Sequence, residues 1–413
     1  MATALTTLFL AALALTTVLR LWLARRHVRH VAAHRGAVPA AFRESITLEA
    51  HQRAADYTTA RVRLAMVEVV SGALFVLVLT LGGVLQALHT AWSALGFNGL
   101  PHGLALIAGL AVLSTLIDLP FSLYRTFVIE ERFGFNKMTP RLFLIDLAKG
   151  ALIGALIGLP VLLAVLWLME RMGPYWWIHV WLFWLGFNLL ALLIYPTVIA
   201  PLFNKFTPLV DASLRERIES LLARCGFRAS GFYVMDGSKR SGHGNAYFTG
   251  FGRAKRIVFF DTLLEKLAPG EIEAVLAHEL GHYKRYHVWK RIGVLALASL
   301  AFLWLLGYLI DAPWFYEGLG MSTPGTAPAL ALFSLAIPVF TFPLSPLMSA
   351  LSRRHEYEAD AYAAQQTHAR DLVAALVKLY RDNAATLTPD PIYSVFYDSH
   401  PPAAARIAQL KAA

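Results

Sequence analysis

The chain has 413 residues, 57% of them hydrophobic and only 15% charged, with a mean hydropathy of +0.53. Soluble domains carry about 25% charged residues, so this composition argues against an ordinary water-soluble enzyme and for a bilayer. The net charge of +10 comes from basic residues that flank apolar runs, not from a nucleic-acid reading motif, and the single cysteine excludes an intrachain disulfide or a zinc ribbon of paired thiolates.

A membrane-spanning helix needs about 20 mostly apolar residues. Spans are predicted at Leu5–Ala24, Leu64–Leu88, Gly103–Tyr124, Leu142–Met169, Tyr175–Leu202, Ile292–Ile310 and Ala327–Leu351. The first has no basic residue before Arg20 and reads as an uncleaved anchor. The last contains Pro338, Pro343 and Pro346 and is expected to kink. Arg25, Arg26, Arg29, Arg35, Arg43, Arg53, Arg61 and Arg63 fill the first loop, and Arg125, Arg132, Lys137 and Arg141 the third. The second and sixth loops have no Lys or Arg. This bias places the N-terminus outside and the C-terminus in the cytoplasm.

The expected organisation is therefore residues 1–203 with spans one to five, a cytoplasmic insert at 204–291, spans six and seven at 292–351, and a helical tail at 352–413. Trp176, Trp177, Trp181 and Trp184 read as an interfacial aromatic belt. Glu68, Asp118, Asp146, Lys149 and Asn188 lie in or beside apolar runs. Either they face a hydrated cavity, or they pair locally, as Asp146 with Lys149 would. In the insert a helix is predicted over Asp211–Cys225, with strands at Gly231–Met235, Ala246–Phe251 and Arg256–Phe260. Pro269-Gly270, followed by Glu271 and Glu273, marks a helix start.

That helix contains His278-Glu279-Leu280-Gly281-His282. Residues four apart share a helix face, so both imidazoles can reach one ion, and zinc favours such nitrogen ligands. Glu279 is placed to activate water as a general base. A metzincin continuation is closed, because Arg285 and Val288 stand where Gly and His are needed. His287 falls off the ligand face of a continuing helix and reads as a loop or surface histidine. A downstream carboxylate is then expected as third ligand. Glu356 and Asp360 share a helix face, Glu358 does not, so Glu356 is assigned to the metal and Asp360 to a ligand histidine. One zinc per chain follows.

At these residues the chain resembles the integral-membrane CAAX prenyl endopeptidases, a branch of the gluzincin metallopeptidases. The resemblance extends through Phe127–Asn136, Tyr195–Phe206, Asn245–Phe248, Phe260–Leu264 and Ser399–Pro402. It implies an all-α multi-pass membrane protein, seven helices around a water-filled chamber, with a zinc peptidase domain and a small β element on the cytoplasmic side. It also implies that Asn245 contacts the substrate backbone and that His400 stabilises the oxyanion; read alone, both are turn residues. The implied partners are the lipid bilayer and a peptide or protein substrate, prenylated or membrane-associated, with no nucleic acid. A quality-control protease without prenyl specificity is the alternative. The compact sixth loop and a tail with no recognisable retrieval signal favour a bacterial-type inner membrane.

Two other readings compete. A site-two protease holds its motif inside a membrane span, whereas Glu271, Glu273, Lys284, Arg285 and Lys290 crowd this one. A transporter or scaffold with a degenerate site would use the intramembrane polar residues as a path.

Overall fold

The computed structural model of the chain describes residues 1–249 and 256–412. Among these residues, seven helical segments are long and apolar enough to cross a bilayer. The first is α1 (Ala2–Ala33), which packs on α2 (Leu48–Leu79). Thr47 caps α2, its hydroxyl accepting the Ala50 N–H at 3.2 Å. The helix of the second span thus starts well before Leu64, on a polar extension, and it ends before Leu88. At Gly82 a Cβ would stand 2.7 Å from the Val78 carbonyl, and Gly83 turns the chain at φ +76°. The apolar run then continues in a separate helix, α3 (Val84–Ala94).

Span three is α4 (Gly99–Tyr124), and it runs into a π-helical turn at Arg125–Glu130. Thr139 caps α5 (Pro140–Arg171), with Pro140 in the first turn, where its missing N–H costs nothing. Span five is α6 (Trp176–Ile194), a second π turn at Tyr195–Ile199, and the short α7 (Ala200–Phe203). Trp176 is buried, and the Trp181 indole donates to the Ala296 carbonyl at 2.8 Å. Trp176 thus packs inside the protein, Trp181 is half-buried, and Trp184 remains exposed.

The insert builds a four-stranded sheet of order β1-β2-β4-β3. Strand β1 (Phe206–Pro208), not anticipated, pairs antiparallel with β2 (Gly231–Met235). Between them lies α8 (Ala212–Arg224), capped by Asp211, which accepts the Leu214 N–H at 3.0 Å. Edge strand β3 (Ala246–Thr249) pairs antiparallel with β4 (Arg256–Phe260), which runs parallel to β2. The predicted end of β3 at Phe251 lies outside the described residues. After α9 (Asp261–Leu264) comes α10 (Pro269–Lys284), where the Glu271 carboxylate reaches back to the Ala268 N–H at 2.7 Å.

Span six is α11 (His287–Leu309). After α12 (Pro313–Gly318), span seven comprises α13 (Thr326–Thr341), a 3-10 turn at Phe342–Leu344 and α14 (Ser345–Gln366). The helix that bears Glu356 thus continues directly from the kinked span. The chain closes with α15 (Ala369–Asp382), α16 (Pro391–Tyr397) and α17 (Ala403–Ala412). One apolar core unites α1, α4, α5, α6 and α13; a second, around Ile218, Ile257, Leu276 and Leu376, seats α10 against the sheet, α8, α14 and α15.

The polar residues near the spans do not pair as Asp146 with Lys149. Asp146 accepts from Arg240 of the insert at 2.8 and 3.1 Å, and Lys149 donates to the Leu202 carbonyl at 2.9 Å. Arg240 also reaches Asn204 at 2.9 Å, and Glu68 pairs with Arg125. The Arg240–Asp146 pair ties the insert to α5, while the Lys149 and Glu68 contacts link span segments to one another.

Candidate metal centre

Helices α10 and α14 cross closely because Gly281 has no side chain. A Cβ there would lie 2.9 Å from Ala359 Cα and 3.0 Å from its carbonyl oxygen. At this crossing His278 and His282 of α10 meet Glu356 of α14, and one donor atom from each lies within 4.8 Å of the others. The two Nε2 atoms are 3.2 Å apart; Glu356 oxygens stand 3.4 Å from His278 Nε2 and 3.3 Å from His282 Nε2. Glu356 is buried; among the described residues its Oε2 accepts no hydrogen bond, and the Arg406 guanidinium stands 3.7 Å from it. A buried carboxylate oxygen with only this longer ion pair has capacity left for a closer cation.

The outer nitrogens of both imidazoles are occupied. His278 Nδ1 lies 2.8 Å from Asp360 Oδ1, and Asp360 is itself held by Arg406 through two bonds of 2.8 and 2.6 Å. Burial would depress His278, but the bonds from Asp360 and Glu356 outweigh it and raise the imidazole to about 9. His282 Nδ1 lies 3.0 Å from Nδ1 of His287, whose Nε2 lies 3.1 Å from Glu358. A carboxylate only accepts, so His287 donates to Glu358 from Nε2 and accepts at Nδ1 from His282. Each ligand-type histidine thus holds a proton on Nδ1, toward Asp360 or His287, and directs Nε2 toward the other and Glu356, where the second proton of the raised His278 would give way to a bound cation.

His287 is thus not a surface histidine. It is 2% exposed and stacks on His355 with ring centroids 4.0 Å apart. The helical phase that excluded it does not apply, because α10 stops at Lys284. Tyr286, at φ +58°, breaks the helix and re-aims His287 at the site. Arg406 lies on α17 in an alanine-rich stretch, with no pattern to mark it.

Glu279 is half-buried and, among the described residues, has no hydrogen-bond partner; burial, partly offset by His278 and His282, pushes its carboxyl up. His400 follows α16, with its Nε2 3.4 Å from Glu356 Oε1 and its Nδ1 3.0 Å from the Ser399 hydroxyl. Asn245 precedes β3, exposed; its side-chain oxygen accepts the Ala246 N–H at 2.8 Å, and it makes no hydrogen bond to the three donors. Six of the seven predicted site residues are thereby gathered at one place, and Asn245 stands at the edge of the sheet. The set can bind a cation, accept a proton from water and donate to a developing negative charge.

The comparisons agree along the whole chain. A family profile described as CAAX prenyl protease N-terminal, five membrane helices, matches residues 27–205, and that of peptidase family M48 matches 208–413. The CAAX prenyl protease 1 homolog of Arabidopsis thaliana is 41% identical over 75% of this chain and 73% of its own length. The Homo sapiens homolog is 35% identical over 81% of this chain and 80% of its own. A crystal structure of S. mikatae Ste24p superposes with a TM-score of 0.91, at 32% identity, covering 98% of this chain and 99% of that one. The chain belongs to peptidase family M48, a multi-pass membrane metallopeptidase whose first half is the five-helix unit of the CAAX prenyl proteases.

Proposed function

We propose that this chain is a zinc endopeptidase that cleaves CAAX-type prenylated proteins at the membrane, with one zinc held by His278, His282 and Glu356. The convergence of these three donors, from helices about 75 residues apart, carries the reading. Tetrahedral ligands at zinc–nitrogen and zinc–oxygen distances near 2.0 Å lie about 3.3 Å from one another; the two Nε2 atoms are 3.2 Å apart, and each faces its own Glu356 oxygen, Oε1 at 3.3 Å from His282 and Oε2 at 3.4 Å from His278. Two imidazoles and a carboxylate leave a fourth position open, as in catalytic zinc sites. Bound there, zinc supplies a Lewis acid for the scissile carbonyl and acidifies the attacking water.

Glu279 takes a proton from that water and returns it to the leaving amine. His400, on the flank of Glu356, donates from its ring to the oxyanion that forms on the carbonyl. Asp360 and Arg406 hold His278 in its productive tautomer, and His287 and Glu358 do the same for His282. The edge of β3, unpaired among the described residues, accepts the extended peptide by strand addition, with Asn245 fixing its backbone. The site faces the cytoplasm, on the side of the arginine-rich first and third loops, beside a chamber enclosed by the spans. A lipid-modified substrate is concentrated where its anchor dissolves.

The test uses the purified full chain in detergent with matched reporter peptides, farnesylated and unmodified. Chelator-sensitive cleavage of the farnesylated peptide, restored by zinc, is the expected result. Equal cleavage of both peptides would replace prenyl specificity with general membrane-protein proteolysis. Cleavage indifferent to the chelator would remove the metal from the reaction.

A further inference from the structure

The basic end of α1 presents a second, separate feature. Trp22, Arg25, Arg26, Arg29 and His30 stand at the spacing of one helix face and, with Asp390, line a recess of about 380 Å³. It lies where the apolar run of α1 gives way to arginine, the depth of lipid headgroups. Trp22 is 49% exposed, a side chain suited to that boundary.

The charges in this recess do not cancel. Arg26 bonds Asp390 at 2.9 Å, and Asp390 is further occupied as the cap of α16, accepting the N–H groups of Ile392 and Tyr393 at 3.1 and 3.0 Å. Among the described residues, neither Arg25 nor Arg29 has a carboxylate partner. Three arginines against one aspartate leave the recess with two positive charges, before His30 is counted. The positive-inside bias alone would place arginines near this membrane boundary. It does not require them to share one face over a recess without counter-charges.

We propose that this recess binds the phosphate of an anionic glycerophospholipid, held by Arg25 and Arg29, with Trp22 against its glycerol–acyl boundary. Guanidinium forks match phosphate oxygens in paired hydrogen bonds. The net positive charge favours an anionic headgroup over a zwitterionic one, whose own ammonium would face the same arginines. The lipid would sit against the helix that ends just before His400, at a site distinct from the metal centre.

The experiment purifies the full chain from detergent supplied with equal phosphatidylglycerol and phosphatidylcholine and weighs the retained lipid by native mass spectrometry. The wild type is expected to retain phosphatidylglycerol in preference on the order of tenfold, the effect of two basic residues at an anionic surface. High salt should erase that preference. The double variant R25Q/R29Q should lose it while keeping its metal content and its cleavage rate in phosphatidylcholine. Equal retention of the two lipids by the wild type would overturn the proposal, as would an undiminished preference in the double variant. Displacement of the lipid by inorganic phosphate alone would also overturn it, by assigning the recess to a soluble anion.

Discussion

At Glu279, burial raises the carboxyl while the two neighbouring histidines lower it, and burial prevails. A carboxylate drawn toward neutrality is suited to take a proton and give it back. Glu279→Gln keeps the shape and removes the base. It is expected to bind one zinc and fold as the wild type does, while turnover falls by on the order of 10² to 10⁴. Peptide assays beside elemental analysis check both halves; substantial turnover in the pure variant would exclude Glu279 as base. The relay behind His282 makes a different prediction. His287→Ala or Glu358→Gln should weaken zinc binding by about 10- to 100-fold, read by chelator competition, because the tautomer of His282 is no longer fixed. Unchanged affinity would reduce the relay to packing.

The residue scale also shows where the sequence was legible. The four-residue spacing of His278 and His282, and of Glu356 and Asp360, pointed to the donor cluster because helix periodicity is a local property. His287 escaped for the same reason. Its role depends on a break at Tyr286 that no apolar period reveals. Arg406 escaped because its partners arrive from α10 and α14, far away in the chain.

At the scale of elements, the α10–α14 crossing sets the site, and Gly281 sets the crossing. Gly281→Ala is expected to push the helices apart by the overlap at Ala359, costing about 1–3 kcal/mol of stability. It should also carry Glu356 out of coordinating range. A thermal melt and a zinc titration on the same sample check this, and wild-type zinc affinity would contradict it. The turn that leads to β3 is clamped from several sides. Arg240 ties it to Asp146 and Asn204, and the Gly244 N–H donates to Asn383 at 3.2 Å. Arg240→Met is therefore expected to raise KM for extended peptides more than it lowers kcat. A fall in kcat alone would argue that Arg240 acts on the reaction, not on peptide alignment.

The spans were readable because a bilayer imposes length and apolarity together. The second was carried too far at its end, and its helix begins earlier than its apolar run. Its first turns, around His51, Gln52 and Arg53, are polar and carry no hydropathy signal. At its far end Leu85 and Leu88 continue the apolar run through the turn at Gly83. Strand β1 is three residues long and closes with a proline, too little for alternation to show.

Over the whole molecule, a chain with little charge and long apolar helices supports a compact four-stranded sheet and a zinc-type donor set at one end of its spans. The link is physical: span seven runs straight into the helix that bears Glu356, and span six begins at His287. Membrane helices and donor set therefore form one continuous framework. X-ray absorption at the zinc edge tests that framework most directly, on purified full chain and on Glu356→Gln. One zinc per chain is expected, with two imidazole nitrogens and a carboxylate oxygen near 2.0–2.2 Å, and the glutamine variant should bind the metal far more weakly. A wild-type spectrum without that nitrogen and oxygen set, or full zinc occupancy with an unaltered spectrum in the variant, would contradict the assignment of Glu356.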